Sequence, residues 1–257
     1  MLRVIVTGSE GQLGRTMHEL SPNYDCNFYF ASSTEIDITN SNSIELVFQK
    51  GKYDYCINCA AYTNVEQSEK TPELAFKVNA EGVKNLAEVC NKYNVTLIHI
   101  STDYVFEGNK IDPYTVQDVP NPINQYGKSK LQGEEYIRAI LRNHYIIRTS
   151  WLYSKKYGHN FYRTVLQKAM DGQELRITDV QTGCPTNTEN LAKFIVDEVL
   201  AGKVAFGTHH FTDGKPMTWY DFAKQILEEN ELTDRAKLIL DRNYRTLAKR
   251  PQNSVLI

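Results

Sequence analysis

The sequence predicts a protein of the α/β class, built on a doubly wound parallel sheet with a smaller C-terminal lobe. Short runs rich in β-branched residues alternate with amphipathic stretches through the first 150 residues. That alternation is typical of a parallel sheet covered on both faces. The first run, residues 2–7, leads directly into a glycine-rich turn and a helical stretch. With 257 residues, of which 41% are hydrophobic, the chain is long enough to bury a large core around such a sheet.

The turn after the first predicted strand has the features of a nucleotide-binding turn. Gly8, Gly11 and Gly14 recur at every third residue, and residues 15–20 then continue as a helix. Glycines at these places let the backbone turn tightly and approach a pyrophosphate, whose charge is favoured at a helix N-terminus. We therefore expect a Rossmann-type fold that binds a dinucleotide here. The spacing differs from Gly-x-Gly-x-x-Gly, so a plain strand-to-helix turn is the alternative interpretation.

The other elements of the first 150 residues follow from the same patterns. Polar residues cap the start of a helix predicted over residues 41–50. Residues 72–93 place apolar side chains on one face of a long helix. The further strands are predicted at residues 27–31, 53–60, 96–100 and 145–149, with a loop containing three prolines at residues 108–125 and a helix from Tyr126. We expect residues 1–150 to form a dinucleotide-binding domain.

After Ser150 the pattern becomes less regular and richer in turns. The predicted helices are residues 160–171, 189–201 and 219–230, and the predicted extended segments are residues 175–178 and 208–211. No internal repeat or low-complexity linker separates the two halves. We expect residues 151–257 to form mainly a substrate-binding lobe over the carboxyl edge of the sheet, partly interwoven with residues 1–150.

The composition argues against several classes of function. The net charge of −2 gives no general attraction to nucleic acid or to an anionic membrane. There is no apolar run of about 18 residues and no charged-then-apolar leader, so we expect neither a transmembrane span nor a secretory signal. Five irregularly spaced cysteines suit a reducing cytoplasm better than a disulfide framework. Cys56 and Cys59 lie in a predicted buried strand, where core packing is the favoured interpretation.

Tyr126 and Lys130 lie one helical turn apart in the predicted helix. Side chains at positions i and i+4 share a helix face, so the phenol and the ammonium group are neighbours. A nearby positive charge helps a phenol to release its proton, as a general acid near neutral pH must do. Because this spacing is common by chance, two residues on a solvated helix face are the alternative interpretation of the pair taken alone.

Several of these segments are predicted to meet at one edge of the sheet. In open α/β sheets, ligands bind beyond the carboxyl ends of the strands. The glycine turn, residues 60–63 and residues 101–103 each follow a predicted strand, and Tyr126 opens the next helix. We therefore expect them to line a single cleft.

These motifs resemble the extended short-chain dehydrogenases/reductases and, in finer detail, the family of dTDP-4-dehydrorhamnose reductases. The shared features are the glycine turn, the alanine pair after the third strand, Ser101-Thr102 and Tyr126-x-x-x-Lys130. Longer phrases follow the family's order over nearly the whole chain, at residues 58–63, 101–106, 126–134, 148–153 and 249–254. Each phrase alone is modest, but together they are highly specific.

The resemblance implies an NAD(P)H-dependent reduction of the C4 keto group of a dTDP-linked 4-keto-6-deoxy sugar, dTDP-4-dehydro-L-rhamnose, in cell-surface polysaccharide biosynthesis. Tyr126 is then the proton donor, Lys130 holds the nicotinamide ribose and lowers the pKa of the phenol, and Thr102 hydrogen-bonds the carbonyl oxygen. The implied substrate-binding residues are Thr102, Asp103, Tyr104, Tyr126 and Trp151. The alternatives are strand-end capping for Thr102 and packing between the lobes for Tyr104 and Trp151.

The resemblance also implies where the dinucleotide binds. The implied cofactor-binding residues are Gly8, Gly11, Gln12, Leu13, Gly14, Ser32, Asp37, Ile38, Ala60, Ala61, Tyr62, Thr63, Tyr126 and Lys130. An NAD-selective site commonly has an acid at the end of the second strand, but here no carboxylate follows that strand until Glu35. We expect NADPH as the coenzyme, with NADH also usable, because the serines at this place and Arg15 suit a 2′-phosphate.

The chain departs from the family's pattern at three places. Some relatives have a glutamate two residues after the third glycine, used in an intersubunit magnesium site. This chain has Thr16 there, and we expect no such metal. Val180 stands where many relatives have an aspartate, which puts the preference for the nucleotide half of the substrate in doubt. The chain stops at Ile257, where relatives usually continue, so we expect the C-terminal lobe to lack the family's last helix. A homodimer is compatible with the resemblance.

Two other functions stay open from the sequence. One is a nucleotide-sugar epimerase or dehydratase; such dehydratases place an acid where this chain has Tyr104, which favours simple reduction. The other is a non-catalytic dinucleotide-binding subunit, like the regulatory beta subunit of methionine adenosyltransferase. The presence of Thr102, Tyr126 and Lys130 together argues against a non-catalytic role.

Overall fold

The computed structural model describes residues 1–257, which form twelve strands and nine α-helices. The strands are β1 (Leu2–Thr7), β2 (Cys26–Ala31), β3 (Tyr55–Asn58), β4 (Thr96–Thr102), β5 (His144–Thr149), β6 (Leu152–Tyr153), β7 (Leu175–Ile177), β8 (Thr182–Gly183), β9 (Thr186–Asn187), β10 (Gly207–His210), β11 (Met217–Thr218) and β12 (Leu238–Leu240). The helices are α1 (Gln12–Leu20), α2 (Ser41–Lys50), α3 (Val65–Lys70), α4 (Pro72–Phe76), α5 (Gly82–Tyr93), α6 (Gln125–Ile140), α7 (Phe161–Met170), α8 (Thr188–Phe194) and α9 (Trp219–Glu229), and π-helical turns extend α4 at Lys77–Glu81 and α8 at Ile195–Leu200. None of the helices has both the length and the hydrophobicity that crossing a membrane requires.

Six strands form one parallel sheet in the order β2–β1–β3–β4–β5–β10. From β1 the chain moves first to β2 on one side and then to β3 on the other, which makes the β1–β3 boundary the point where the winding reverses. Ligands of open α/β sheets bind beyond the carboxyl ends of the strands at such a point. The predicted doubly wound fold is confirmed, and it directs attention to the loops after β1, β3, β4 and β5.

Alternate side chains of the central strands face opposite sides of the sheet, as the strand period of two requires. Ile5 and Leu97 pack with α2, α5 and α6 in one core. Val6 and Ile98 pack with α1 and α8 in a second core on the other face. Helices therefore cover both faces, and only the ends of the strands are open to a ligand.

The part of the chain after residue 150 contributes to both the sheet and a separate core. β10 pairs with β5 as the last parallel strand, although residues 208–211 were predicted only as an extended segment of the lobe. A third core lies between α7 and α9 and includes Tyr162, Leu175 and Phe222. The division of the chain near residue 150 stays a prediction, because α8 and β10 return to the sheet.

The long helix predicted over residues 72–93 is interrupted by the π-helical turn Lys77–Glu81. This turn presents Asn79, whose side-chain oxygen accepts from the Tyr62 N–H at 2.8 Å and whose amide nitrogen donates to the Tyr62 carbonyl at 2.9 Å. The same nitrogen donates to Ser129 Oγ at 3.0 Å. Such turns are frequent at functional sites, and this one fixes the loop after β3 against α6.

Candidate active site

A cleft of about 590 Å³ lies between the carboxyl ends of the central strands and the C-terminal lobe. Of the residues predicted for the site, the cleft is lined by Gly11, Gln12, Leu13, Ala61, Thr63, Thr102, Asp103, Tyr104, Tyr126, Lys130 and Trp151. Gly8, Gly14, Ser32, Asp37, Ile38, Ala60 and Tyr62 do not line it. The structure thus brings the predicted catalytic residues together with the middle of the glycine turn.

The three glycines of the turn after β1 have different surroundings. Gly8 has a left-handed φ of 65°, and an added Cβ would lie 2.6 Å from the Ala60 nitrogen. At Gly14 a Cβ would lie 2.6 Å from Ser9 Cα, so close packing requires glycine at both positions. Gly11 faces the cleft, and no side chain caps the first N–H groups of α1. Free N–H groups at a helix N-terminus suit the phosphates of a dinucleotide.

The carboxylate of Glu35 lies beside the end of β2, although Glu35 itself comes after that strand in the sequence. Glu35 folds back and accepts from the Ser32 N–H at 2.9 Å and from Ser32 Oγ at 2.8 Å. Asp37 accepts from the backbone N–H and the hydroxyl of Thr39 at 2.9 and 2.8 Å, and the Ile38 side chain packs in the core. Adenosine binding by Ser32, Asp37 and Ile38 stays a prediction.

α6 begins at a capped turn pressed against the loop after β4. Asn124 caps the helix by accepting from the Gly127 N–H at 2.7 Å. Gly127 lies so close to the Tyr104 carbonyl oxygen that any Cβ would overlap it. This close contact fixes the start of α6, and the side chains of Tyr126 and Lys130 project from its first turns into the cleft.

The Tyr126 phenol is half-buried beside Tyr104, with the two rings edge to face and their centroids 5.9 Å apart. Burial raises the pKa of Tyr126 to about 12; the adjacent Thr102 hydroxyl opposes this shift, and the Asp103 carboxylate adds to it. The lower phenol pKa expected from a nearby Lys130 is not found in this structure. Desolvation of the phenolate is the largest cause of this shift, and the hydrogen bonds of the Lys130 amine go to β4.

The Lys130 amine is buried and points toward β4. Its Nζ donates to the Ile100 carbonyl at 2.7 Å and lies 3.2 Å from His99 Nε2. Burial lowers the pKa of Lys130 to about 8, although Glu134 and Cys59 raise it in part. The lysine therefore loses its charge at a lower pH than an exposed lysine.

Thr102 and Asp103 form a buried hydrogen-bonded pair at the end of β4. Thr102 Oγ1 donates to Asp103 Oδ1 at 3.0 Å and accepts from the Tyr104 N–H at 3.2 Å. Ser150 Oγ donates to Asp103 Oδ2 at 2.9 Å. Burial raises the pKa of Asp103 to about 6, although the hydroxyls of Ser254, Ser150 and Thr102 lower it in part. Thr102 thus caps the strand end and also lines the cleft.

Glu134 is a buried residue that the sequence analysis did not single out, and it anchors α6 to the sheet. Its carboxylate accepts from Arg148 Nε at 3.0 Å, from Arg148 Nη2 at 2.7 Å and from Ser101 Oγ at 2.6 Å. Burial by itself raises the pKa of Glu134, but the hydrogen bonds and charge of Arg148 lower it on balance. This pair fixes the helix that bears Tyr126 and Lys130.

Trp151 has a left-handed backbone and stacks directly on a second tryptophan at the wall of the cleft. Its φ is 47°, and its ring lies 3.5 Å from that of Trp219 at an angle of 7°. Gly183 also packs against the Trp151 ring, and an added Cβ there would lie 2.6 Å from Trp151 Cε2. Packing between segments of the lobe is therefore present, and both rings also line the cleft. Trp219 was missed by the sequence analysis.

Two polar side chains join α1 and α3 to the C-terminal segments around the cleft. Gln12 Oε1 accepts from the Ser154 N–H at 3.0 Å and from Asn160 Nδ2 at 2.7 Å. Arg250 pairs with Glu66 at 2.9 Å, while its buried Nε has no partner within the protein. Arg250 lines the cleft and belongs to the phrase at residues 249–254, which was the only signal for it in the sequence.

Thr16 lies inside the protein, between α1 and α8. Its hydroxyl donates to the Gln12 carbonyl at 2.9 Å and lies 2.9 Å from Thr188 Oγ1. No group of three or more His, Cys, Asp or Glu side chains is arranged to hold a metal ion. Thr16 therefore packs between α1 and α8, and the expectation that no magnesium is bound there stays a prediction.

Comparisons with known proteins find the same family over nearly the whole length of the chain. A family model described as the RmlD substrate binding domain matches residues 2–257. The dTDP-4-dehydrorhamnose reductase of Aggregatibacter actinomycetemcomitans is 36% identical over 267 residues, covering 100% of this chain and 90% of that protein. The chain belongs to the dTDP-4-dehydrorhamnose reductase family. The Escherichia coli K12 member is 32% identical, covering 99% of this chain and 89% of its own.

Solved structures show the same relationship for this member of the family. The dTDP-4-dehydrorhamnose reductase of Bacillus anthracis, crystallised in complex with NADP, has a TM-score of 0.93 and 34% identity, covering 100% of this chain and 91% of that chain. The UDP-glucose 4-epimerase of Thermus thermophilus has a TM-score of 0.83 at 19% identity, covering 100% and 90%. At that identity the epimerase shows the shared fold alone.

Proposed function

We propose that the protein is an NADPH-dependent reductase that converts the C4 keto group of dTDP-4-dehydro-L-rhamnose to the hydroxyl group of dTDP-L-rhamnose. The observation that carries this proposal is the presence of Thr102, Tyr126 and Lys130 in one cleft beside the glycine turn. The names of the relatives from A. actinomycetemcomitans and E. coli support the reaction, and the NADP complex of the B. anthracis protein supports the coenzyme. NADH is proposed as a usable alternative.

The residues around the turn fit a dinucleotide, which supplies a hydride when bound. The uncapped N-terminus of α1 at Gly11 and Gln12 suits the pyrophosphate. Ala61 and Thr63 continue the same side of the cleft toward Lys130, which we propose to hold the ribose. The remaining proposed contacts are Gly8, Leu13, Gly14, Ser32, Asp37, Ile38, Ala60, Tyr62 and Tyr126.

Tyr126 is the proposed proton donor to the new C4 oxygen. With a pKa of about 12 the phenol stays protonated at neutral pH, so the proton is available when the substrate arrives. A sugar alkoxide is a stronger base than a phenolate, so transfer of the proton from Tyr126 to it is favourable. A cationic Lys130 stabilises the phenolate that is left behind.

Thr102 is the proposed hydrogen-bond donor to the same oxygen. Its oxygen is held by the Tyr104 N–H, and its proton points to Asp103 in this structure. Rotation of that hydroxyl directs the proton to a substrate carbonyl without moving the backbone. A donor aimed at developing negative charge stabilises the transition state more than the ground state.

The substrate's nucleotide and sugar are proposed to lie on the aromatic and basic wall of the cleft. Tyr104, Trp151 and Trp219 offer flat apolar area, and Arg250 offers a positive charge with a free Nε–H. Asp103 faces the same space. Five free cysteines support the proposal of a cytoplasmic location. The homodimer stays a prediction, for which sedimentation velocity is the measurement.

The proposal is tested by incubating the purified protein with dTDP-4-dehydro-L-rhamnose and NADPH while following cofactor absorbance and the sugar product. We expect one NADPH to be oxidised for each ketosugar consumed. Conversion of the sugar without net loss of NADPH contradicts the reductase and points to an epimerase or dehydratase. Tight NADPH binding without any turnover points instead to a non-catalytic subunit.

A further inference from the structure

A chain of buried polar side chains connects β1 with the Lys130 amine. Thr7 Oγ1 donates to Asn58 Oδ1 at 2.7 Å, and Asn58 Nδ2 lies 3.0 Å from His99 Nδ1. His99 Nε2 lies 3.2 Å from Lys130 Nζ. All four side chains are at most 2% exposed, so each polar atom depends on its neighbour in the chain.

The direction of these hydrogen bonds is set by one backbone N–H group. The Ala60 N–H lies 3.1 Å from Asn58 Oδ1, and a backbone N–H can only donate. The oxygen of the Asn58 amide must therefore face Ala60 and Thr7, and its NH₂ group must face His99. It follows that His99 Nδ1 accepts a hydrogen bond.

The proton of a neutral His99 ring must then lie on Nε2, which faces Lys130. Burial lowers the pKa of His99 well below its ordinary value, and the Lys130 charge lowers it further, so the ring is neutral. An ammonium group has three donors and no acceptor, whereas a neutral amine has a lone pair. The Nε2–H can therefore donate to the lone pair of a neutral amine, whereas against an ammonium group two donors face each other.

We propose that His99 is a positioning residue whose tautomer, imposed by Asn58, favours the neutral form of the Lys130 amine. The inference rests on the proposed function, because it concerns the lysine of that site. The amine keeps its hydrogen bond to the Ile100 carbonyl in either charge state. What the histidine controls is how readily the amine becomes a cation.

Other ionisable groups around Lys130 also influence the charge of its amine. Glu134, one turn further along α6, and Cys59, after β3, both favour the cation. Tyr126, also on α6, needs that cation once it has lost its proton. Because the folded pKa of Lys130 is depressed, the cation is present below about pH 8 and is lost as the pH rises through that value. The reduction is expected to slow over the same range.

Asn58→Asp changes the tautomer and also adds a negative charge one imidazole ring away from the amine, and both changes favour the ammonium. The new carboxylate keeps an oxygen for the Ala60 and Thr7 donors, and its second oxygen accepts from His99, which moves the ring proton to Nδ1. Nε2 then becomes an acceptor for the ammonium. We expect the basic limb of kcat/KM to move upward by about one pH unit or more. Asn91→Asp adds the same charge at an exposed position of α5 and leaves the limb in place.

Two further measurements keep the test decisive if the buried aspartate prevents folding. Asn58→Leu removes the NH₂ donor that imposes the tautomer and adds no charge, so the ring proton can leave Nε2 for Nδ1, and we expect the same upward shift of the basic limb. The ¹⁵N shifts of the His99 ring in the wild-type protein are expected to show the proton on Nε2. An Nδ1–H tautomer in the wild type, or an unmoved basic limb in a folded variant that reduces the sugar, overturns the inference.

The ring shifts need no substrate, so they separate this inference from the proposed function. A wild-type protein that does not reduce the ketosugar contradicts the proposed function. The same protein with the His99 proton on Nε2 still supports the assignment of the hydrogen-bonded chain. A protein that reduces the ketosugar but has the other tautomer contradicts this inference alone.

Discussion

Replacing Glu134 by glutamine tests what holds α6 against the sheet. The wild-type carboxylate neutralises Arg148 through two hydrogen bonds of 3.0 and 2.7 Å, and the two side chains are 0% and 3% exposed. Glutamine has nearly the same shape but no charge. The variant therefore retains the packing and leaves the Arg148 cation buried, where Nη1 already has no partner.

The expected cost follows from that burial. Removing one partner of a buried ion pair destabilises a protein by about 3–5 kcal/mol. Loss of the i,i+4 contact with Arg138 adds little, because that side chain is 38% exposed. At about 2–4 °C per kcal/mol for a chain of this size, the melting temperature is expected to fall by about 6–20 °C.

Thermal unfolding followed by circular dichroism measures this cost, with Glu135→Gln as the matched control. Glu135 is the next residue of α6, is exposed and has no ion pair, so its loss is expected to leave the melting temperature nearly unchanged. The folded pKa of Glu134 is depressed, so its contribution is complete above the ordinary pKa of glutamate and is lost as the pH falls through the folded pKa. Equal melting temperatures for the two variants at neutral pH refute the anchoring role.

Two other substitutions test the geometry of the cleft. Gly127→Ala places a Cβ on the Tyr104 carbonyl oxygen. We expect the free energy of unfolding, measured in urea, to fall by about 1–3 kcal/mol and kcat to fall as well. The control Lys128→Ala, at an exposed neighbouring residue, is expected to change neither quantity. Glu35→Gln removes the carboxylate at the end of β2, and we expect the ratio of kcat/KM for NADPH over NADH to rise. An unchanged ratio means that Glu35 does not face the 2′ position of the coenzyme.

Local patterns in the sequence were sufficient for the sheet and for the position of the cleft. Strand period, turn glycines and helix caps are properties of neighbouring residues, and they placed β1, α2 and α6 within a few residues of their observed bounds. The pairing of β10 with β5 was not visible, because its four residues show no pattern that distinguishes a sheet edge from a short extended segment.

The partners of the buried charges could not be predicted from the sequence. Glu134 lies four residues after Lys130 and shares its helix face, but its partner Arg148 comes from β5, which the spacing along α6 does not identify. In the same way, the spacing of Tyr126 and Lys130 indicated a shared helix face but not that the amine turns to His99 and the Ile100 carbonyl. Such partners come from other strands, and their effect on pKa depends on burial.

The role of Tyr126 as proton donor is tested by the rate at which Tyr126→Phe reduces dTDP-4-dehydro-L-rhamnose. We expect kcat to fall by about two to four orders of magnitude, the usual scale for a lost general acid, with the Kd for NADPH and the melting temperature unchanged. Tyr136→Phe, which removes a surface phenol from the same helix, is expected to react at the wild-type rate. A Tyr126→Phe protein that reduces the sugar as fast as the wild type shows that Tyr126 is not the proton donor.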